Sequence, residues 1–205
     1  MIKNILITQI VNYSKKRGYQ YSLSKEWIDY SVKIGINLIP YSYNFSKKNL
    51  TNLKIDGVIF SGGNDLNFLK KRKENYFRDK EEIKLLRFFL KKKIPILGIC
   101  RGFQLIAHQF GGNVVKTKFH VKKNHKINVI KKDFFKKNLL YVNSYHNFSV
   151  NYLPRSFEII SRHNDNSIEI AKYNNKLFCL MFHPERKNFS QKLIDQYFKK
   201  ILKVK

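Results

Sequence analysis

A cysteine set between two glycines is the pattern in this chain best suited to chemistry. Gly98-Ile99-Cys100-Arg101-Gly102 follows the apolar run Ile94-Pro95-Ile96-Leu97 and precedes the amphipathic run Phe103, Gln104, Leu105, Ile106, Ala107 and Phe110. Strand, sharp turn and helix in that order make a nucleophile elbow, with Cys in place of Ser. The glycines allow strand and helix to approach closely. The thiol then lies at a helix N-terminus, where free N–H groups and the helix dipole favour an anion. The plain alternative is a strand-to-helix turn that holds a buried Cys.

A thiolate needs a base and a group to orient that base. Six histidines are present. His183 follows the apolar run 177–182, so it shares with Cys100 a place at a strand end. Pro184 stiffens the turn, and Glu185 can reach back to fix the imidazole tautomer. His108 reads as core or as support on the helix after the elbow. His120 and His125 fall in a basic stretch, 116–126, which reads as a solvated, mobile loop. His163 reads as a strand end, and His146 lies in Asn143-Ser144-Tyr145-His146-Asn147-Phe148. No pair of these has metal-ligand spacing with a nearby Cys or carboxylate, so no metal and no cofactor are expected. Oxyanion donors are expected from the N–H of Arg101 and from the Gly62-Gly63 turn.

The elements that must position these groups alternate. Strand patterns lie at 5–9, 37–40, 56–60 and 94–99. Ser24 is placed to cap a helix ending at Gly35, with Trp27, Tyr30, Ser31 and Ile34 on one face. Asp79 is placed to cap a second helix, running to Lys92, with Ile83, Leu86, Phe89 and Leu90 buried. This βαβα order predicts a flavodoxin-like, doubly wound α/β fold in one domain, 1–205. Its parallel sheet places sites at the carboxyl ends of the strands. The second half predicts further, antiparallel strands at 126–130, 139–143, 157–161, 167–173 and 177–182, then a helix at 190–202.

Composition bounds the rest. No stretch of ~18 apolar residues offers a membrane span, and residues 1–9 are too short and too polar for a secretory segment. Two cysteines make no disulfide framework, which fits a reducing, cytoplasmic setting. The net charge of +27 invites a nucleic-acid reading. Yet Lys70–Lys73, Lys91–Lys93, Lys131-Lys132 and Lys136-Lys137 are scattered over separate elements. The AT-rich codons of Lys, Asn, Ile, Phe and Tyr account for much of the excess. Nucleic acid is therefore not the expected partner, although the charge can steer an anionic substrate.

Taken together, 56–63, 94–104, Asn143-Ser144-Tyr145-His146, Ser167-Ile168-Glu169 and His183-Pro184-Glu185 resemble the class I glutamine amidotransferases, most closely their γ-glutamyl hydrolase (peptidase C26) branch. The motifs occur in family order. The resemblance implies a Cys100–His183–Glu185 triad and an oxyanion hole from the backbone of Gly63 and Arg101. It implies a γ-glutamyl pocket involving Gly62, Asn64, Gln104, Ser144, Tyr145 and His146, with Glu169 in or behind it. Hydrolysis of a γ-glutamyl amide through a thioester follows. The chain is shorter than the γ-aminobutyrate-type members and lacks their proline-rich segment after Gly63, and Arg186 stands where relatives tend to carry Trp. These departures favour a nucleotide-linked, anionic γ-glutamyl phosphoramide of capsule biosynthesis as substrate. Arg186, Arg101 and Lys70–Lys73 are candidate phosphate contacts. A separate synthetase partner, receiving ammonia from a glutaminase subunit, is the less favoured alternative.

Overall fold

The computed structural model describes residues 2–92, 94–118, 120–132 and 134–204. Lys93 of the second lysine cluster and Phe119 of the basic stretch lie outside them. In chain order the elements begin with β1 (Lys3–Ile7), β2 (Ile10–Ser14), β3 (Gly18–Ser22), α1 (Lys25–Ile34), β4 (Ile36–Pro40), α2 (Lys47–Asn52), β5 (Gly57–Phe60), α3 (Lys73–Leu90), β6 (Ile96–Ile99) and α4 (Arg101–Gln109). There follow β7 (Asn113–Lys116), β8 (Val121–Val129), β9 (Leu139–Tyr145), β10 (Phe148–Tyr152), β11 (Glu158–His163), β12 (Ile168–Lys172), β13 (Leu177–Leu180) and α5 (Gln191–Leu202).

The period-2 alternation of the short apolar strands builds two cores. Ile5, Ile7, Ile59, Leu97 and Ile99 face one side, against Trp27, Tyr30 and Ile34 of α1 and Ile194 and Phe198 of α5. Leu6, Val58, Phe60 and Ile96 face the other, against Leu85, Leu86 and Phe89 of α3 and Phe103, Leu105 and Ile106 of α4. Helices thus cover both faces. The main sheet runs β4-β1-β5-β6-β13-β12-β11-β8-β9. Its first five strands are parallel, in the 2-1-3-4-5 order of a flavodoxin-like sheet. The remaining four pair antiparallel. The expected doubly wound sheet with an antiparallel extension is therefore the observed architecture. The described residues include no helix long and apolar enough to cross a membrane.

The expected α1 matches in extent: Gly35 ends it in the left-handed conformation, and Trp27, Tyr30, Ser31 and Ile34 are buried. Ser24 occupies the N-cap position, but its side chain makes no capping hydrogen bond. Other expectations need correction. Asp79 does not begin α3, which starts six residues earlier, at Lys73. Its carboxylate instead accepts from Asn67 N at 2.7 Å and pairs with Arg101. Leu90 is exposed and Ile83 only half-buried; Leu85 takes the core position. The stretch 116–126 is not a loop over most of its length, because β8 begins at Val121 and pairs with β9 from there. His120 is buried rather than solvated, and His108 is exposed, stacked on Phe68 with ring centroids 4.2 Å apart.

Candidate active site

Strands β5, β6 and β13 are neighbours, and each ends in a residue expected to do chemistry. After β6 comes Cys100, whose φ of 51° and ψ of −106° hold it at the N-cap of α4. Such a conformation is strained for a residue with a side chain. The turn closes only because position 102 lacks a Cβ: one placed there would lie 2.0 Å from the Phe60 carbonyl oxygen. The elbow inferred from Gly-x-Cys-x-Gly is thus a real close approach of α4 to β5.

His183 lies just beyond β13, and its backbone is clamped. His183 N donates to Asn143 Oδ1 at 2.9 Å, while Asn143 Nδ2 and Asn188 Nδ2 donate to His183 O at 2.8 and 3.0 Å. The Nδ1 of the ring is 2.6 Å from Glu185 Oε1. Burial works against the imidazolium, but the Glu185 carboxylate and a hydrogen-bonded charge interaction with Cys100 outweigh it and lift the His183 pKa to about 10. A Cβ at Gly62 would lie 2.5 Å from His183 Cε1 and 3.5 Å from Cys100 Cβ. The Gly62 turn therefore abuts both the His183 imidazole and the Cys100 side chain.

The Ser61–Asn64 loop after β5 is held by a residue absent from the sequence expectations. Arg78, wholly buried, donates to Gly62 O (3.0 Å), Gly63 O (3.2 Å), Asn64 Oδ1 (3.0 Å), Ser61 O (3.0 Å) and Ser61 Oγ (3.0 Å). Its Nε donates to Glu82 Oε1 at 2.7 Å. The second Glu82 oxygen takes Arg101 Nη1, and Arg101 Nη2 goes to Asp79. The Arg101 and Arg78 charges hold the Glu82 carboxyl below its usual range despite burial. Asn188, Arg78 and Glu82 are the positioning groups that sequence reasoning missed, and Asn143 figures there only within its motif, with no role of its own. The i,i+4 spacing of Arg78 and Glu82 was the available signal.

Beside the thiol is a cavity of about 410 Å³, lined among others by Gly63, Asn64, Gln104, Tyr145, His146 and Arg186. That volume suits a small substrate. Cys100, Arg101 and His183 also line it. Ser144 and Glu169 are buried behind the wall, and Ser144 Oγ donates to His120 O at 2.5 Å. Gln104 Nε2 donates to Phe148 O at 2.8 Å, tying α4 to the far wall. The side chain of Asn64 is engaged away from the cavity, since it accepts from Val11 N and donates to Val11 O, both at 2.9 Å. The Arg101 guanidinium is also unavailable to a phosphate, buried as it is against Asp79 and Glu82. Of the expected phosphate contacts, Arg186 does reach the cavity, with its guanidinium 4.3 Å from the Tyr145 ring centroid. Lys122 lines it too. Lys70 sits at its margin through Asp65, at 3.8 Å.

This fold and this arrangement of thiol, imidazole and carboxylate define a known class of protein. Residues 17–201 match the family model of glutamine amidotransferase class-I, and the chain belongs to that family. Among curated relatives it is similar to the γ-glutamyl-CDP-amidate hydrolase of Campylobacter jejuni, 36% identical over 73% of this chain and 72% of that protein. It is also similar to the glutamine-hydrolysing GMP synthase of Campylobacter fetus, 33% identical over 72% of this chain but only 28% of that one. Among solved structures, a glutamine amidotransferase from Thermotoga maritima shares the fold, with a TM-score of 0.68 at 20% identity, covering 99% of this chain and 85% of the other.

Proposed function

We propose that this protein is a stand-alone cysteine hydrolase of γ-glutamyl amides, with γ-glutamyl-CDP-amidate as its preferred substrate. The observation that carries the reading is His183, held 2.6 Å from Glu185 and lining the same cavity as Cys100. In the first half-reaction the Cys100 thiolate attacks the γ-carbonyl carbon. Backbone N–H groups of Gly63 and Arg101 receive the oxyanion. The C–N bond breaks as the His183 imidazolium gives its proton to the leaving nitrogen, which leaves a glutamyl thioester. In the second, His183 takes a proton from water, the hydroxide attacks the thioester, and glutamate and the Cys100 thiolate are released. Glu185 holds the imidazole throughout. Gln104, Tyr145 and His146 contact the glutamyl group, and Arg186 and Lys122 face an anionic leaving group such as cytidine diphosphoramidate. The 36% identity to the C. jejuni hydrolase supports that substrate. A role in making capsular phosphoramidate is the further part of the proposal and rests on the sequence resemblance alone.

A second reading, a glutaminase subunit serving a synthetase, is favoured by the similarity to GMP synthase. One comparison separates the two: kcat/KM for γ-glutamyl-CDP-amidate, γ-glutamyl-γ-aminobutyrate and glutamine, each with Cys100→Ala as the blank. The first substrate is expected to lead by at least an order of magnitude. Efficient glutamine hydrolysis that appears only with a synthetase added would replace this reading with the second.

A further inference from the structure

Behind the cavity wall five side chains converge from well-separated parts of the sequence. His120 precedes β8, His125 lies on it, His146 joins β9 to β10, His163 ends β11 and Glu169 is on β12. The His120 ring centroid is 4.8 Å from that of His146, 5.1 Å from His125 and 4.9 Å from His163. Glu169 is fully buried among them, its oxygens 3.8 Å from His146 Nε2 and 3.5 Å from His125 Nε2. Both separations exceed an N–H···O hydrogen bond of about 2.7–3.2 Å. Accordingly both Glu169 oxygens, His125 Nε2, His146 Nε2 and His120 Nδ1 are buried with no hydrogen-bond partner. A carboxylate deprived of donors in a dry interior is costly unless a cation answers it.

The spacing suits such a cation. Two ligands bound tetrahedrally at about 2.0–2.1 Å stand about 3.3–3.4 Å apart. Donor atoms of His120, His146 and Glu169 all lie within 4.8 Å of one another. The tautomers agree as well. Asp165 Oδ2 is 2.8 Å from His120 Nε2, which places the proton on Nε2 and leaves the lone pair of the buried, unpartnered Nδ1 free to ligate. The same carboxylate holds His163 Nδ1 at 3.0 Å. A carboxylate bonded to the outer nitrogen of a histidine is the usual backing of a metal ligand. Ser149 Oγ lies 3.4 Å from His146 Nδ1, on the side of the ring away from Nε2.

We propose that His120, His146 and Glu169 bind one divalent ion of the zinc class. His125 lies outside that triplet, its ring centroid 6.5 Å from that of His146, and takes the fourth position by a turn of its ring on the side where Nε2 is 3.5 Å from Glu169. Nitrogen and carboxylate donors at all four positions then make a structural site rather than a catalytic one. The ion joins β8, the β9–β10 turn and β12 directly behind His146. It therefore fixes the wall of the cavity without taking part in the chemistry, and its presence does not depend on which substrate is cut.

The test uses the full chain carrying Cys100→Ser, which removes the other thiol–imidazole pair able to hold zinc. After chelator treatment, dialysis against Zn(II) is expected to leave one equivalent bound and to raise the melting temperature. His120→Ala and Glu169→Gln should lose that equivalent, Asp165→Asn should weaken it about 10–100-fold, and His108→Ala should leave it unchanged. Co(II) in the unaltered cluster should give visible ligand-field bands with no thiolate charge-transfer band, a readout that stands even where a cluster variant fails to fold. Absence of a bound equivalent, binding unaffected by Glu169→Gln, or a thiolate band would each overturn the proposal.

Discussion

Arg78 and Arg101 are bonded to opposite oxygens of one buried carboxylate, that of Glu82. Arg78 shapes the Gly-Gly loop, and Arg101 is the residue after Cys100. The two segments proposed to supply oxyanion donors are therefore joined through α3, although they follow different strands.

Removing that joint should be severe. Glu82→Ala leaves two buried guanidinium groups facing each other, and one-sided loss of a buried ion pair costs about 3–5 kcal/mol. Glu82→Gln should cost less yet still reduce kcat, because the loop relaxes. Urea unfolding gives the first quantity and steady-state kinetics the second. The sign with pH is fixed. The Glu82 carboxyl titrates lower in the fold than in the unfolded chain, so its contribution is complete above the usual carboxylate pKa. It is lost as pH falls through the folded value.

The two cysteines should differ sharply. Burial pushes the Cys179 thiol well above its ordinary pKa in the middle of β13, whereas Cys100 lines the cavity. Iodoacetamide is expected to add one group per chain, at Cys100, and none in Cys100→Ala. That variant should lose turnover on the order of 10⁶-fold. Peptide mass spectrometry that finds Cys179 labelled first would contradict the assignment.

His183 should titrate near 10, and its neighbours should set that value. Glu185→Gln is expected to bring it down furthest and Cys100→Ala less so, as seen by NMR of the imidazole carbons. The folded pKa is raised above the ordinary 6.5, so the pair stabilises the fold fully below that pH and stops doing so as pH rises through about 10. Unfolding midpoints at neutral and high pH, compared with those of Glu185→Gln, measure the difference.

Gly102→Ala and Gly62→Ala should fail in different ways. The first drives a methyl into the Phe60 backbone, 2.0 Å from its oxygen, and should cost about 3 kcal/mol or more. The second meets a side-chain ring, at 2.5 Å, which can rotate away. Its expected result is a folded protein with a displaced His183, low kcat and little change in melting temperature.

Arg186→Ala should raise KM for a diphosphate-bearing substrate and leave glutamine hydrolysis nearly unchanged. An equal effect on both would place Arg186 at the glutamyl end instead.

What could be read from the sequence was what is local. The elbow needs five consecutive residues, and α1 carries both its stop and its cap within twelve positions. Asp79 misled because a cap residue and a buried ion-pair partner look alike until Arg101 is seen beside it. The β2–β3 hairpin escaped because only Val11 of its ten residues is fully buried, which leaves no apolar alternation to detect. The first half of β8 escaped for the same reason, its first four residues all being exposed, while its end coincides with the strand expected at 126–130. The histidine cluster had no spacing signal, since pairing of β8, β11 and β12 brings together residues up to 49 positions apart.

Cys100 keeps a backbone conformation that glycine would adopt at ease. Robustness and chemistry are thus opposed at a single position. Cys100→Gly is expected to give a chain that folds more firmly and cuts nothing. Selection acting on durability alone would favour glycine there, so the side chain at this position is held at a cost in stability.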